Sequence, residues 1–331
     1  MNRLKYLLVY LLPISVYFSF NTTGIMTFSP MLLFYGILPI LELVLKPDSA
    51  NMDKKIASDE KNRFFYDWIL YLVVPIQLTF LTYFLFIIKD TPFGTLDFFG
   101  RVTSMGLMCG VTGINVGHEL GHRRNRFEQF LGEILLLTSL DTHFLPYHNG
   151  GHHKNVSTPA DSATATKNQL LFTFWFTSHF GSYFEAWKID KNRMIVYSIA
   201  NVLLLTAIYY FFGLNVLYAF GMAAVMGILL LETVNYIEHY GLMRKQSESG
   251  IYEQVRHNHS WNSDHPLGRL LLFNLSRHSD HHYNGSKKYQ TLESLPESPQ
   301  MPTGYPGMMI LALLQPIWFW VMNKKLKTIE D

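Results

Sequence analysis

The sequence predicts an all-α integral membrane protein, with about six transmembrane helices and a histidine-rich catalytic region on one membrane face. Three observations carry this. Of the 331 residues, 49% are hydrophobic and 15% aromatic, while only 16% are charged against a usual quarter. Runs of about 20 apolar residues recur, which is the length needed to cross a bilayer. All fourteen histidines fall after the fourth or sixth of those runs or at their ends. No repeat or low-complexity tract divides the chain, so one domain over 1–331 is expected.

The spans are expected near 5–21, 25–45, 64–88, 98–117, 194–212 and 216–237. The first, in MNRLKYLLVYLLPISVYFSF, imitates a signal peptide but lacks a small-x-small cleavage site, and further spans follow. It reads as a retained anchor. The run GMMILALLQPIWFWVM, 307–322, holds Pro and Trp and is short, so it suits an interfacial segment. Lys and Arg in the short loops set the orientation. Arg3 and Lys5 precede the first span. Lys46, Lys54, Lys55, Lys61 and Arg63 follow the second. Arg123, Arg124 and Arg126 follow the fourth, and Lys188, Lys191 and Arg193 precede the fifth. Only Lys89 and Arg101 lie on the other side. Both termini then face the cytoplasm, as do the hydrophilic stretches 118–193 and 238–331.

A net charge of +2 gives no reason to expect a nucleic-acid partner, and the single cysteine, Cys109, excludes an internal disulfide or a Cys-based metal site. Histidine is the informative residue. It clusters as HELGH (118–122), HNGGHH (148–153), EH (238–239) and HSDHH (278–282). On an α-helix, residues three and four apart share a face. His118 pairs with His122, His148 with His152, and His278 with His281 and His282. His153 stands beside the second pair. Two imidazoles one turn apart grip one metal ion, and a third, about 100° round the helix, reaches another. Nine imidazoles exceed the roughly four to six that one ion accepts, so two ions are implied. Ligand type alone leaves Zn, Cu, Fe and Ni open.

HELGH also fits a zinc metalloprotease with Glu119 as base, but that reading leaves six box histidines idle. A metal transporter would hold its ligands near the bilayer midplane, whereas these lie at the inner span ends and beyond. His143, His179 and His265 stand alone and read as structural.

The stretches HELGHRRNR, HNGGHHKNVSTPADSATA, NYIEHYGL and LSRHSDHHYNGSKKYQTL closely resemble the membrane-bound alkane hydroxylases, the alkane 1-monooxygenases. More distantly they are similar to xylene monooxygenase and the membrane fatty acid desaturases. The likeness extends to HSWNS (259–263) and PTGYPG (302–307), so it spans nearly the whole chain. It implies a centre of two non-haem iron ions that hydroxylates the terminal methyl of an n-alkane with O₂. Electrons would come from rubredoxin, reduced by an NAD(P)H-dependent rubredoxin reductase, and the enzyme would sit in a bacterial inner membrane. The implied ligands are His118, His122, His148, His152, His153, His239, His278, His281 and His282. Two positions depart from the family pattern. Tyr147 stands where many members carry Glu, and Asn284 where relatives often place a further histidine.

Neutral imidazoles leave such a centre strongly cationic, so nearby carboxylates are expected to balance it and orient the rings. Glu119, Asp161, Glu238 and Asp280 are the candidates, with Glu232 deeper in the sixth span, on one helix face with Asn235 and His239. Alkane is expected to enter from the bilayer through a tunnel between spans. Phe34, in LLFYGILP, stands where related hydroxylases carry a bulky residue that limits chain length. A fused rubredoxin would need two Cys-x-x-Cys pairs, so the donor is expected to be separate. Rubredoxins are typically acidic, and Arg123, Arg124, Arg126, Lys287 and Lys288 are the expected contacts.

Overall fold

The computed structural model describes residues 3–330. Among the described residues the fold is all-α, with two isolated β-bridges and no strand. Five helical stretches are long and apolar enough to cross a membrane: α1 (Arg3–Phe20), α2 (Gly24–Val44), α3 (Phe64–Lys89), and two discussed below, Lys191–Phe212 and Leu214–His239. They match the expected spans to within a few residues. Pro75 sits inside α3 without ending it. Asp67 in its first turn and Lys89 in its last complement the helix dipole.

The expected fourth span is also helical. We call the continuous stretch 96–121 α4; it opens on a Thr95 cap, whose hydroxyl accepts from the Phe98 amide at 3.3 Å. It is less apolar than the other five because Gly, Ser and Thr alternate with its large residues. Those small residues permit close packing. A Cβ on Gly106 would lie 2.7 Å from the Met226 sulfur, and one on Gly110 3.0 Å from Leu230. A π segment, Met108–Ile114, interrupts α4 just before the first histidine box. Such extra-residue turns recur at functional sites. Asn125 then caps α5 (Arg126–Leu137) through its Phe127 amide at 2.9 Å.

The hydrophilic stretch 118–193 contains a helix that the sequence reading did not anticipate, α6 (Leu171–Ile189). It buries Leu171, Phe174, Ser178, Ser182 and Ala186, while Phe172, Phe176, Phe180 and Phe184 are exposed at four-residue spacing. Asp190 caps the next helix, α7 (Lys191–Phe212), accepting from Arg193 N at 3.0 Å, and α8 (Leu214–His239) follows. A short helix, α9 (His278–Tyr283), carries the last histidine box. The expected interfacial run resolves into α10 (Tyr305–Leu313) and α11 (Gln315–Glu330), neither of them among the candidate spans.

The chain forms two compact units, each assembled from separate segments. The first comprises Met1–Ile37, Arg63–Leu145 and Asp190–Leu231. Its core includes Tyr66, Phe84, Phe98, Met105 and Leu136. The second comprises Leu38–Asn62, Pro146–Ile189 and Glu232–Asp331. Around its buried Trp318 pack Tyr236, tilted, and Tyr240, edge-on, each with ring centroids 5.3 Å away. Glu42, at the end of α2, is buried in this unit and accepts from the Gly268 amide at 2.6 Å.

Candidate metal centre

The second unit holds seven of the nine box histidines. His152, His239, His278 and His282 form one group, all four buried, with one ring nitrogen from each within 4.8 Å of the others. His239 Nε2 and His278 Nε2 are 3.2 Å apart. His148, His153 and His281 form another group, with His148 Nε2 3.0 Å from His153 Nε2.

This division corrects the pairing expected from α-helical spacing. His148 pairs with His153, at i+5, and His152 turns to the other group. The cause is local: His148–His152 winds as a π-helix, which brings residues five apart into line. The glycines of HNGGH make the wider turn possible where a second unit element crowds it. A Cβ on Gly151 would lie 2.7 Å from Glu185 Oε1, and one on Gly150 2.7 Å from Ile189. On α9 the split follows ordinary helical geometry. His278 and His282, at i+4, belong to the first group, while His281, rotated away from both, belongs to the second.

In the first unit, His118 and His122 bring their Nε2 atoms to 3.0 Å, and Phe144 lies edge-on to the His118 ring. The neighbouring acid of this box, Glu119, receives a hydrogen bond from Arg123 at 2.9 Å, and Arg123 also pairs with Asp67 at 3.2 Å. Glu119 is thus engaged by a buried cation, which is a poor arrangement for the general base of a protease.

Two features test whether these residues suit a metal. Donors bound side by side on one ion, each at about 2.1 Å, stand about 3.0–3.4 Å apart. The Nε2 pairs match that separation. His282 is buried with neither ring nitrogen hydrogen-bonded. Burial pushes its pKa well below the ordinary value, and His278, His153, His152 and His239 push it the same way. A buried neutral imidazole without a partner is costly and is what a metal ligand looks like before its ion. The donor set fits iron.

The five expected carboxylates have different partners. At Asp161, His152 Nδ1 lies 3.0 and 3.1 Å from the two carboxylate oxygens. The Tyr147 hydroxyl donates to Asp161 at 2.5 Å and the Thr164 hydroxyl at 2.6 Å. Burial alone would raise the Asp161 pKa, but His152 and these hydrogen bonds hold it at about 2. With Nδ1–H given to Asp161, the His152 Nε2 lone pair is left for a metal. Tyr147, the departure from the family pattern, therefore acts on the carboxylate that contacts the His152 ring. Asp280, by contrast, accepts from Lys287 Nζ and from the Glu293 amide, each at 2.7 Å, and so anchors the chain after α9 instead of a ring. Glu232 accepts from Asn235 at 3.2 Å and lies 3.9 Å from His179. Glu238 lies 3.2 Å from His278 Nε2. Asn284 is exposed.

Sequence reasoning missed Tyr305. Its hydroxyl donates to Glu238 Oε1 at 2.7 Å. The motifs HSWNS and PTGYPG gain a physical role here. The Trp261 amide donates to the Glu238 carbonyl at 2.8 Å, and its indole donates to the Tyr240 carbonyl at 2.9 Å. Asn262 Oδ1 accepts from the Ser279 amide at 2.8 Å, in the first turn of α9. HSWNS thus ties the end of α8 to the start of α9, fixing the two histidine-bearing helices of the four-membered group. Gly304 of PTGYPG admits Glu42: a Cβ there would fall 1.8 Å from Glu42 Oε2.

Comparison with known proteins decides the family. The family model described as fatty acid desaturase matches residues 96–312. The chain belongs to the fatty acid desaturase family, on its alkane hydroxylase branch. It is 35% identical to alkane 1-monooxygenase 1 of Pseudomonas aeruginosa, over 91% of this chain and 83% of that one. With alkane 1-monooxygenase 1 of Alcanivorax borkumensis the identity is 34%, over 87% and 74%. The hydroxylase component of xylene/toluene monooxygenase from Pseudomonas putida is 25% identical, over 88% and 80%. With five apolar helices and this family, the enzyme is a multi-pass membrane protein.

Two of the five expected contacts need restating. Arg123 is buried against Glu119 and Asp67, and Lys287 is held by Asp280 and Glu293, so neither is a free surface cation. Arg124 and Arg126 are exposed. Phe34 is 5% exposed and so is not a lipid-facing side chain.

Proposed function

We propose that the enzyme hydroxylates the terminal methyl of medium- to long-chain n-alkanes to 1-alkanols. The balanced reaction takes R–CH₃, O₂, two electrons and two protons to R–CH₂OH and water. The observation that carries the reading is the set of seven histidines in two close groups, in a chain a third identical to alkane 1-monooxygenases.

The nine histidines together hold two iron ions, with His152, His239, His278 and His282 taking one of them. Bound iron supplies the activation of O₂ that an unactivated C–H bond requires and that side chains do not provide. The protein does the rest. Asp161 fixes the tautomer and angle of His152. Trp261 and Asn262 hold α8 and α9 in register. Burial of the four-histidine group keeps bulk water from reactive species. Alkane reaches the site from the bilayer, with Phe34 limiting the length admitted. Electrons arrive from a separate rubredoxin, reduced by an NAD(P)H-dependent reductase, on the cytoplasmic side of a bacterial inner membrane.

Feeding n-alkanes to cells that express the protein with rubredoxin and its reductase tests this. Formation of 1-alkanols supports the reading. Accumulation of olefinic fatty acids alone would replace it with a desaturase.

A further inference from the structure

We propose that a cavity beside α11 binds the headgroup of an anionic phospholipid, held by Lys324 and Lys325, with the acyl chains lying along Trp320. The inference stands on the membrane setting of the chain and is independent of metal and substrate.

The first argument is what lines the cavity. It has a volume of about 320 Å³ and is walled by Pro302, Trp320, Val321, Lys324, Lys325 and Thr328. Both lysines are exposed, and among the described residues no carboxylate lines the cavity. Two neighbouring cations without an acid repel each other and favour an anion between them. The size suits a small polar group, since small-molecule sites begin at about 300 Å³.

The second argument is the order of side chains along α11. Residues 317, 320, 324 and 328 follow at three- and four-residue steps and share a face. That face runs from Ile317, 48% exposed, through Trp320, 74% exposed, to the exposed Lys324 and Thr328. Trp318, Met322 and Leu326 are buried on another face. Apolar side chain, indole and cation thus follow one another as a bilayer passes from acyl chains through its interface to phosphates. α6 adds to this surface. Its Leu171 amide donates to Gln315 Oε1 at 2.6 Å, so α6 and α11 start from one joint, and α6 exposes its row of phenylalanines. Bare apolar faces on two joined helices belong against lipid. An acidic protein partner would account for the lysines alone.

The third argument is depth. Trp318 packs on Tyr236 and Tyr240, and the Tyr240 hydroxyl donates to Asn323 Oδ1 at 2.9 Å. Those tyrosines lie in and just past the last turn of α8, one of the candidate spans. The 26 residues of α8 extend about 39 Å at 1.5 Å each, against a hydrocarbon core of about 30 Å. Its last turn therefore reaches the headgroups, and Lys324, next to Asn323, reaches the same level.

Native mass spectrometry of the full-length protein in detergent, titrated with phosphatidylglycerol or phosphatidylcholine, tests this. Wild type should bind one phosphatidylglycerol in preference to phosphatidylcholine. Lys324→Gln with Lys325→Gln should weaken phosphatidylglycerol roughly thirtyfold, the effect of removing two cations from an anionic lipid surface, and leave phosphatidylcholine unaltered. Trp320→Ala should weaken both lipids. These side chains are exposed, so the melting temperature should hold in every variant. Lys54→Gln with Lys55→Gln removes the same net charge elsewhere and should leave the affinity unchanged. Excess inorganic phosphate should not displace the lipid. Undiminished phosphatidylglycerol affinity in the Lys324 and Lys325 variant would overturn the proposal. An equal loss in the Lys54 and Lys55 variant would overturn it in favour of net charge alone, and displacement by inorganic phosphate in favour of a free-anion site. Lipid retained but rubredoxin-dependent turnover slowed in the Lys324 and Lys325 variant would assign the two lysines to a protein partner instead.

Discussion

If two irons are bound as proposed, replacing Asp161 with Asn should selectively weaken one of them, and the structure sets the size of the effect. Three side chains direct hydrogens at the Asp161 carboxylate: His152 Nδ1 at 3.0 Å, Tyr147 at 2.5 Å and Thr164 at 2.6 Å. An Asn has one acceptor oxygen and must turn its NH₂ toward one of those donors. His152 then loses the bond that fixes its tautomer. The preference of this pocket for a charged carboxylate can be read from its pKa of about 2 against an ordinary 3.8. At about 1.36 kcal/mol per unit, that is roughly 2.5 kcal/mol. Loss of a group supporting a ligand usually lowers metal affinity about 10- to 100-fold, or roughly 1.4–2.7 kcal/mol. The two figures agree, so a loss near the upper end is expected. The assay is iron retained per chain as chelator concentration rises, followed beside a thermal melt. One iron should leave at about 50- to 100-fold lower chelator, by the same reasoning, and the other at the wild-type concentration. Tyr147→Phe should give a smaller shift of the same kind, since it removes one of the hydrogen bonds to Asp161 and leaves those from His152 and Thr164 in place. Identical release of both irons in wild type and Asp161→Asn would refute the reasoning.

Phe34→Ala should shift products toward longer 1-alkanols, because two added methylenes gain about 0.8 kcal/mol each on burial, together about a tenfold change in preference. Competition among C8 to C18 alkanes measures it, and an unchanged profile would remove Phe34 from the substrate path. Arg123→Ala should lower stability by about 3 kcal/mol, since Glu119 and Asp67 lose a buried partner. Arg124→Glu with Arg126→Glu should leave the melt unaltered and slow turnover at limiting rubredoxin, an effect that fades as salt rises. Equal rates at low salt would dismiss these arginines as contacts. Gly304→Ala should destabilise the protein measurably, because its Cβ would collide with the buried Glu42 carboxylate; an unshifted melting temperature would show that Glu42 moves aside freely.

Much of the fold was legible because a bilayer demands long apolar runs, and five such runs stand out with little ambiguity. α4 was placed correctly as a helix, but its glycines and hydroxyls serve close packing, so its apolar character is weaker than its position suggests. α6 was missed because its charges and hydroxyls mask it. Phenylalanine at 172, 176, 180 and 184 was the available signal. The histidine boxes were read in the right places, but their pairing was not. Periodicity assumes 3.6 residues per turn, and nothing in HNGGHH announces a π turn except the paired glycines. The acids show the same limit. Asp161 and Asp280 both lie in or near histidine boxes, yet one meets an imidazole and the other a lysine seven residues on. Tyr305 lay outside the reach of spacing arguments altogether, because it comes to Glu238 from 67 residues away.

The most direct measurement of the central claim is product analysis under dioxygen labelled with heavy oxygen. The purified enzyme in lipid would be supplied with rubredoxin, its reductase, NAD(P)H and a mixture of octane to hexadecane. Wild type should form 1-alkanols carrying one labelled oxygen atom, and His281→Ala should lose them together with iron. Alcohols without label, olefins in place of alcohols, or full activity in a protein holding only zinc would contradict it.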